Sequence, residues 1–386
     1  METFFLPTLA VFVLTLLTVP LVKALAWKLN IVDRPATRKL QVETIPLLGG
    51  LGILIPFVIG LTFFYKGATD LNLKSVVFCA ALIALLGLYD DKYGLTWKTK
   101  LAGQLIVSAL LVFGFGLKTS FFELDILNSL ASICWLAFIT NSINLLDNMD
   151  GLAAGVSAIA AFFFFLLSYK AGQPDLAMFC ALLAAAALAF LKYNFSPASI
   201  FMGDLGSLFL GFTLGAVAIL LQVKEISNWE IVLWHNEFFQ RYVYIYEGIS
   251  VLIPLLVLAV PIFDTLLVMV LRTLNGLGIF TPGRDHSSHR LSRMKGFLQR
   301  KLDKIILLYL RLAERRKPTR QTAWRGIAQA RTALILYACA GLVGGGTLVI
   351  SQLSLRGFLV FALIVVAAAF FSAYKLGQVL VYRKKL

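Results

Sequence analysis

Residues Asn141 to Gly155 read NSINLLDNMDGLAAG, a polar stretch that lies between two apolar runs. Within it, Asn141, Asn144, Asp147 and Asp150 are three residues apart, so on a helix they would line one face. A charged group at mid-bilayer costs about 2.5–3.5 kcal/mol on insertion scales, and such groups usually mark a functional site. We therefore predict that this face forms one wall of a polar pocket at a membrane surface.

The composition is that of a membrane protein. Of the 386 residues, 59% are hydrophobic and 14% are charged, and the mean hydropathy is +0.85. This apolar content exceeds that of soluble domains. The predicted fold is all-α, a single polytopic integral membrane domain over residues 1–386 with about eleven transmembrane helices. The apolar runs cover residues 3–26, 46–65, 74–89, 100–117, 125–140, 152–169, 174–191, 201–222, 248–271, 333–351 and 356–374.

The distribution of basic residues predicts the orientation. With eleven spans the loops alternate sides, and one side holds 27 of the 35 lysines and arginines, against seven on the other. By the positive-inside rule the richer side is cytoplasmic, with the N-terminus outside and the C-terminus inside. Anionic lipid headgroups and an anionic substrate explain this charge better than nucleic acid does, so we expect no nucleic-acid partner.

The longest cytoplasmic loop is predicted over residues 272–332, with fifteen Lys and Arg against three acids. Its segment KLDKIILLYLRLAERRK contains an apolar run of only six residues. This run is too short to span a bilayer, so we predict an amphipathic helix that lies in the headgroup plane.

Other polar clusters fall on the same predicted side. Asp90 and Asp91 close the third run, and Asp204 begins the eighth within NFSPASIFMGDLGS. His286 and His289 follow the ninth run in PGRDHSSHRL. The structural alternatives are a solvated Asp pair and an ordinary helix cap. A helix cap explains one residue, such as Asp204, but does not require the other polar residues and glycines of NFSPASIFMGDLGS. We therefore favour one shared site at the cytoplasmic surface of the membrane.

Two features are open between a structural and a functional interpretation. Asp264, inside the ninth run, either bonds to a neighbouring helix or lines the pocket. In the first loop, Lys39 precedes Gly49 and Gly50, which fits either a positive-inside loop or a phosphate site with close backbone approach.

Clustered carboxylates and cations indicate Mg²⁺ and phosphate. Mg²⁺ is bound through one or two carboxylates plus substrate phosphate oxygens, while Arg, Lys and His hold other phosphate oxygens. Phosphoryl transfer requires mainly positioning and charge neutralisation. A transporter would more often place its acids near mid-bilayer, so we predict an enzyme.

The segments DDKYGL, NSINLLDNMDGLAAG, NFSPASIFMGDLGS and DHSSHRL resemble, in order, those of the polyprenyl-phosphate N-acetylhexosamine-1-phosphate transferases, over roughly residues 30–292. That family includes bacterial undecaprenyl-phosphate GlcNAc-1-phosphate transferases and the phospho-MurNAc-pentapeptide translocase. The resemblance implies attack by a lipid phosphate on the β-phosphate of a UDP-amino sugar, with release of UMP. It implies Mg²⁺ as cofactor, with Mn²⁺ as an alternative, and a UDP-amino sugar, a polyprenyl phosphate and the membrane as partners.

The resemblance also implies roles by motif position. The implied metal ligands are Asp204 and Asn144. The implied catalytic residues are Asp90, Asp91, Asp147, His286 and His289. The implied substrate contacts are Lys100, Asp150, Asn194, Phe201, Arg290 and Lys39, of which Asp150, Asn194 and Phe201 would contact uridine.

Two departures from the family pattern favour the GlcNAc-1-phosphate branch. Ser287 and Ser288 interrupt a motif that often has three histidines, and Gln41 stands where the first loop often has another. We predict transfer of GlcNAc-1-phosphate to undecaprenyl phosphate at the bacterial inner membrane, which initiates cell-envelope polysaccharide synthesis. The alternatives are the pentapeptide translocase or another UDP-HexNAc transferase and, from another class, a lipid-linked sugar transporter. The oligomeric state is open, with a homodimer as one option.

Overall fold

The computed structural model describes residues 2–35, 44–64, 71–221, 252–278, 283, 285–294, 303, 306, 320–351 and 355–379. This part of the chain is almost entirely helical. Its helices are α1 (Glu2–Lys28), α2 (Gly49–Phe64), α3 (Leu71–Tyr93), α4 (Trp97–Ala109), α5 (Asp125–Leu146), α6 (Leu152–Lys170), α7 (Pro174–Asn194), α8 (Gly203–Leu220), α9 (Leu252–Val257), α10 (Ala259–Leu274), α11 (Ser287–Arg293), α12 (Arg320–Ile350) and α13 (Leu355–Gly377). A π-helical turn, Leu110–Gly114, extends α4.

The helices confirm the all-α, multi-pass class. Eight described helices are long and apolar enough to cross a membrane. The other three predicted runs correspond to shorter helices: α2, α4 with its π-helical turn, and the α9–α10 pair. The total of eleven spans stays a prediction.

Helix α8 lies at the centre of the bundle. Its apolar segment is 78% buried, whereas that of α13 is 11% buried. Glycines on neighbouring helices allow this close packing: a Cβ on Gly87 of α3 would lie 2.5 Å from the Asp204 carbonyl oxygen, and one on Gly211 of α8 would lie 2.7 Å from the Thr140 Cα of α5. The backbone at the start of α8 is therefore held firmly against α3.

One end of the bundle collects the polar motifs, and we call it the site end. Helices α3, α5 and α7 end there, and α4, α6 and α8 begin there, because each pair is joined by a short connection. Asp90 and Asp91 thus lie at the end of α3, near Lys100 on the first turn of α4 and Asp204 on the first turn of α8. The predicted convergence of these segments is confirmed.

The predicted four-residue polar face of one helix is wrong in its second half. Helix α5 ends at Leu146, so only Asn141 and Asn144 are helical. Asp147 is the C-cap residue, and Asp150 lies in the turn before Gly151, whose φ of 74° is left-handed. This conformation suits glycine and ends the helical path, so Asp150 faces different partners from Asn144.

The boundaries of the predicted loop 272–332 also change. Helix α10 continues to Leu274, and α12 already begins at Arg320. No glycine or proline interrupts RQTAWR at the start of α12, so helix formation extends beyond the apolar run. The predicted interfacial helix lies largely outside the described residues, although Asp303 and Ile306 within it are helical.

A short antiparallel pairing closes the first loop. Strand β1 (Val32–Asp33) pairs with β2 (Ile45–Pro46), with Val32 opposite Pro46. The Phe201 amide donates to the Pro46 carbonyl at 2.8 Å, which attaches this loop to the segment before α8. Lys39, a predicted substrate contact, lies outside the described residues.

Candidate active site

Lys100 is the cation around which the acidic motifs converge. Its Nζ lies 2.7 Å from Asp204 Oδ2 and 2.9 Å from Asp90 Oδ2. It also donates to Asn144 Oδ1 at 3.3 Å. Three oxygens from α3, α5 and α8 therefore surround one positive charge supplied by α4. Such an arrangement brings together four segments that are far apart in the sequence.

Asn144 holds the Asp204 carboxylate from the other side. Its Nδ2 donates to Asp204 Oδ1 at 2.5 Å and to Ser207 Oγ at 2.8 Å. The Ser207 hydroxyl in turn donates to the Gly203 carbonyl. Each oxygen of Asp204 thus has a partner from a different helix, which fixes the orientation of this carboxylate.

Asp91 positions the beginning of α8. Its Oδ1 accepts from the Asp204 amide at 2.8 Å, and its Oδ2 accepts from the Leu205 amide at 3.1 Å. The first amides of a helix lack acceptors within the helix, and here the Asp91 carboxylate of α3 accepts hydrogen bonds from two of them. Asp90 instead accepts from the Leu95 amide at 2.6 Å and pairs with Lys100. The two members of the pair therefore have different contacts, while their catalytic roles stay predictions.

The Gly203→Ala substitution tests the junction between Asp91 and α8. Gly203 has φ of 73°, and a Cβ there would lie 2.5 Å from both Asp91 Oδ2 and the Leu47 carbonyl oxygen. We expect a lower free energy of unfolding by about 2–5 kcal/mol, because left-handed strain and overpacking add. Thermal unfolding of the purified protein in detergent measures this.

Gly94→Ala is the matched control for backbone strain. Gly94 has nearly the same φ, 72°, but a Cβ there meets nothing within 4 Å. This variant should lose only about 1–2 kcal/mol. Equal destabilisation of the two variants would show that the contacts of Gly203 with Asp91 and Leu47 are unimportant.

Asp147 lies beside these groups but has a different environment. Burial, together with the negative charges of Asp204 and Asp150, raises the pKa of the Asp147 carboxyl to about 8. A buried carboxyl near other acids favours its neutral form, because burial and the neighbouring negative charges both disfavour ionisation. In the absence of a bound cation, we therefore expect Asp147 to carry its proton near neutral pH.

This raised pKa predicts a pH dependence of stability. The folded chain binds the Asp147 proton up to about pH 8, whereas the unfolded chain loses it near pH 4, so stability should fall as pH rises between these values. Thermal unfolding in EDTA should show the melting temperature of the wild type falling relative to that of Asp147→Asn from pH 5 to 8.5. A constant difference between the two across this range would contradict the assignment.

The predicted uridine contacts form a second group. Asp150 Oδ2 accepts from the Ala198 amide at 3.0 Å, and burial raises the pKa of Asp150 although this amide acts in the opposite direction. The Asn194 side chain bridges two backbone segments, accepting from the Gly151 amide at 3.1 Å and donating to the Ile200 carbonyl at 3.0 Å. The structure thus uses the Asn194 amide to hold the turn that carries Asp150.

Phe201 is placed by its backbone. Its carbonyl accepts from the Gly49 amide at 2.9 Å, and a Cβ on Gly49 would lie 2.4 Å from that oxygen. The side chain of Phe201 is only partly buried. The uridine roles of Asp150, Asn194 and Phe201 stay predictions.

The histidine motif is attached to α10 by Asp264. His286 Nδ1 lies 2.8 Å from Asp264 Oδ2, and the Ser287 amide donates to Asp264 Oδ1 at 2.6 Å. The Asp264 side chain is fully buried, so it orients the motif and bonds to a neighbouring helix. His289 is also buried, with its ring centroid 6.2 Å from that of His286.

Ser288 connects this motif to the turn after α5. Its Oγ donates to Oδ1 of Asn148 at 2.6 Å, and Asn148 directly follows Asp147 in the sequence. The last motif therefore lies against the loop that carries Asp147 and Asp150. Catalytic roles for His286 and His289 stay predictions.

Arg290 makes extensive contacts within the protein. Its side chain is buried, its Nε donates to the Asp285 carbonyl at 2.8 Å, and its Nη1 donates to the Leu376 and Val379 carbonyls at 2.9 Å. These bonds fasten the motif to the end of α13. They give Arg290 a structural role, and its predicted contact with substrate stays a prediction.

Several residues that contact the site were assigned no role from the sequence. Arg272 forms a buried two-point ion pair with Asp285, at 2.7 and 2.8 Å, beneath the histidine motif. Ser207 completes the contacts of Asn144, and Gln329 of α12 lies beside Asp150. Arg272 and Gln329 lie in segments that looked like basic loop, so only the tertiary packing identifies them.

The donor set at Lys100 fits a hard divalent cation. Asp90, Asp204 and Asn144 already direct oxygens at one positive charge, the Lys100 ammonium. Within the described part of the chain, no group of three or more His, Cys, Asp or Glu side chains has metal-site geometry. Mg²⁺ is commonly held through one or two carboxylates and completes its coordination with phosphate oxygens and water, so it stays the predicted cofactor.

The fold and site define a multi-pass membrane protein with an acidic cluster that surrounds one lysine at one end of its helical bundle. Comparison with known proteins agrees with this class. Residues 73–222 match the glycosyl transferase family 4 model. The chain is 36% identical over 294 residues to a probable undecaprenyl-phosphate N-acetylglucosaminyl 1-phosphate transferase of Bacillus subtilis. This alignment covers 72% of this chain and 76% of the relative.

Two further relatives have related names. A decaprenyl-phosphate N-acetylglucosaminephosphotransferase of Mycolicibacterium smegmatis is 32% identical over 316 residues, 75% of this chain and 74% of the relative. A phospho-N-acetylmuramoyl-pentapeptide-transferase of Clostridium acetobutylicum is 34% identical over 197 residues, 46% of this chain and 62% of the relative. The chain therefore belongs to the polyprenyl-phosphate N-acetylhexosamine-1-phosphate transferase family, as its motifs predicted.

Proposed function

We propose that this protein transfers GlcNAc-1-phosphate from UDP-GlcNAc to undecaprenyl phosphate, releasing UMP. An oxygen of the lipid phosphate forms a bond to the β-phosphorus, and the bond from that phosphorus to the bridging oxygen breaks, so UMP leaves with that oxygen. The observation that carries the proposal is the convergence of Asp90, Asn144 and Asp204 on Lys100 at the site end. A pocket of this kind suits a charged diphosphate at the edge of a membrane.

Mg²⁺, or Mn²⁺ in its place, is the proposed cofactor, held by Asp204 with Asn144. The bound cation would neutralise charge on the diphosphate oxygens. Lys100 supplies a second positive charge in the same pocket, 2.7 Å from Asp204. Phosphoryl transfer depends largely on such positioning and charge stabilisation, which matches a site built from fixed carboxylates and one lysine.

Asp91 contributes indirectly, because its carboxylate holds the first turn of α8, which carries Asp204. Asp90 contributes by orienting the Lys100 ammonium. A lipid phosphate is already ionised near neutral pH, so the reaction does not require a strong base. His286 and His289 are proposed to bind the phosphate groups from the side of the turn after α5, since Ser288 attaches their motif to Asn148.

GlcNAc-1-phosphate is the proposed donor group because relatives named for it match most of this chain. The Bacillus subtilis relative covers 72% of the chain, whereas the pentapeptide-transferase relative from Clostridium acetobutylicum covers 46%. The sequence departures at Ser287, Ser288 and Gln41 point in the same direction.

The proposed location is the bacterial inner membrane, with the site end facing the cytoplasm. This orientation supplies the UDP-sugar from the side on which 27 of the 35 basic residues are predicted. The undecaprenyl phosphate would reach the same end from the inner leaflet. The product would then be the lipid-linked first sugar of a cell-envelope polysaccharide.

The test uses the purified full-length chain with UDP-GlcNAc labelled in the sugar, undecaprenyl phosphate and Mg²⁺. Transfer predicts label in the organic phase and one UMP released for each labelled lipid. UDP-MurNAc-pentapeptide in a parallel reaction tests the other donor. Label that crosses the membrane of reconstituted vesicles as intact UDP-GlcNAc, without UMP release, would contradict the proposal.

A further inference from the structure

Gln329 of α12 lies directly against the proposed uridine-binding carboxylate. With its amide nitrogen toward Asp150, that nitrogen is 3.1 Å from Oδ1 and 3.0 Å from Oδ2. In the opposite orientation the amide oxygen accepts from the Asp150 amide at 3.4 Å but lies against both carboxylate oxygens, so we use the first orientation, which satisfies the carboxylate. Gln329 is buried, and it comes from a segment more than 170 residues further along the chain.

A second contact of α12 supports the same turn. The Tyr337 hydroxyl, two helical turns after Gln329, donates to the Gly151 carbonyl at 2.5 Å. A Cβ on Gly155 would lie 2.1 Å from Cζ of the Tyr337 ring, so only glycine there admits the ring. Gln329 and Tyr337 therefore contact the start of α6 and the preceding turn from one face of α12.

Asp150 needs such support because it belongs to a turn and not to a helix. A carboxylate that accepts an N–H from a base must present its oxygens in one orientation. The Ala198 amide donates to Oδ2 at 3.0 Å, whereas Gln329 contacts both oxygens. Since an ionised carboxylate has about four acceptor sites, capacity for a base remains after these contacts.

We propose that Gln329 is a positioning residue that orients Asp150 for the nucleobase, so that α12 forms one wall of the nucleotide site. This inference rests on the proposed function, because Asp150 is a nucleoside contact only if a UDP-sugar is the donor. It predicts that Gln329 affects the binding of the nucleotide and leaves the chemical step and the lipid substrate almost unaffected.

The experiment compares Gln329→Met with wild type in the full-length protein. Methionine keeps the length of the side chain and removes both N–H donors. We expect KM for UDP-GlcNAc and the inhibition constant of UMP to rise about tenfold. A misoriented Asp150 would lose its hydrogen bond to the base, and a hydrogen bond to a charged group contributes about this much affinity. The kcat value and KM for undecaprenyl phosphate should stay within about twofold. Gln329→Glu, of the same size, should raise KM further, because two carboxylates repel.

A double-mutant cycle separates positioning from a merely structural role. If Gln329 acts through Asp150, then Gln329→Met should change nothing further in an Asp150→Ala background. Thr332→Val is the matched control, since this buried hydroxyl on the same helix donates to the Ala328 carbonyl and should leave KM unchanged. Should Gln329→Met fail to fold, Gln329→Glu carries the same comparison.

The outcomes distinguish this inference from the proposed function. A wild-type chain that releases no UMP contradicts the proposed function. An active wild type whose KM for UDP-GlcNAc is unchanged in Gln329→Met contradicts the role of Gln329 alone. Equal losses from Gln329→Met with and without Asp150 would likewise show that the glutamine serves only packing.

Discussion

Asp204→Asn is expected to lower kcat by about a thousandfold, which corresponds to about 4 kcal/mol of lost transition-state stabilisation. Asparagine keeps the shape of the side chain but removes the negative charge that lies 2.7 Å from Lys100 Nζ and 2.5 Å from Asn144 Nδ2. Without that charge the proposed cation loses its main ligand. UMP release under saturating UDP-GlcNAc and lipid measures the effect.

The fold should survive this substitution. Asp90 still pairs with Lys100 in the variant, so no buried ammonium is left without a partner, and the melting temperature should change little. Asp125→Asn is the matched control, because Asp125 begins α5 at the opposite end and its side chain is 72% exposed. Wild-type activity in Asp204→Asn would contradict the proposed role of Asp204 as the main ligand of the cation.

Lys100→Met is expected to lower kcat about a hundredfold or more and also to destabilise the protein. The change leaves Asp90 and Asp204 facing each other without the ammonium that now lies between them. Breaking a buried ion pair costs about 3–5 kcal/mol, and the value here should lie at or below the lower end because Asp204 is 29% exposed. Thermal unfolding and UMP release measure the two effects.

Added Mg²⁺ gives this second prediction a specific signature. The paired carboxylates of the Lys100→Met variant would gain a cation, so Mg²⁺ should raise its melting temperature more than that of the wild type. Lys98→Met is the matched control, since Lys98 is exposed on the same helix and its Nζ lies 5.7 Å from the Trp97 ring. No difference between the Mg²⁺ responses of Lys100→Met and wild type would contradict a shared cation site.

The sequence predicted the membrane class and the segments that form the site. Apolar runs determine where helices cross a bilayer, and acids at their ends are conspicuous because they are costly near hydrocarbon. Asp91 and Asp204 were identified in this way, and the structure joins them through the first amides of α8. This capping of α8 by the Asp91 carboxylate could not be foreseen, since Asp91 and Asp204 are 113 residues apart in the sequence.

The periodic pattern around Asn141 was a weaker guide. A spacing of three predicted one helical face, but the helix ends at Leu146, so Asp147 and Asp150 turn toward different surroundings. The pairing of Arg272 with Asp285 and of Gln329 with Asp150 depends on how helices pack. Composition and spacing hold no information on such contacts, which arise only in the folded chain.

The central claim is that Asp204 and Asn144 hold one divalent cation against the diphosphate of the sugar nucleotide. Electron–nuclear double resonance on the full-length protein, with Mn²⁺ and UDP-GlcNAc bound, tests it most directly. We expect a phosphorus coupling from a directly bound phosphate in the wild type and its loss in Asp204→Asn. A coupling that persists in that variant, or a protein-bound Mn²⁺ without phosphorus coupling in the wild type, would contradict the claim.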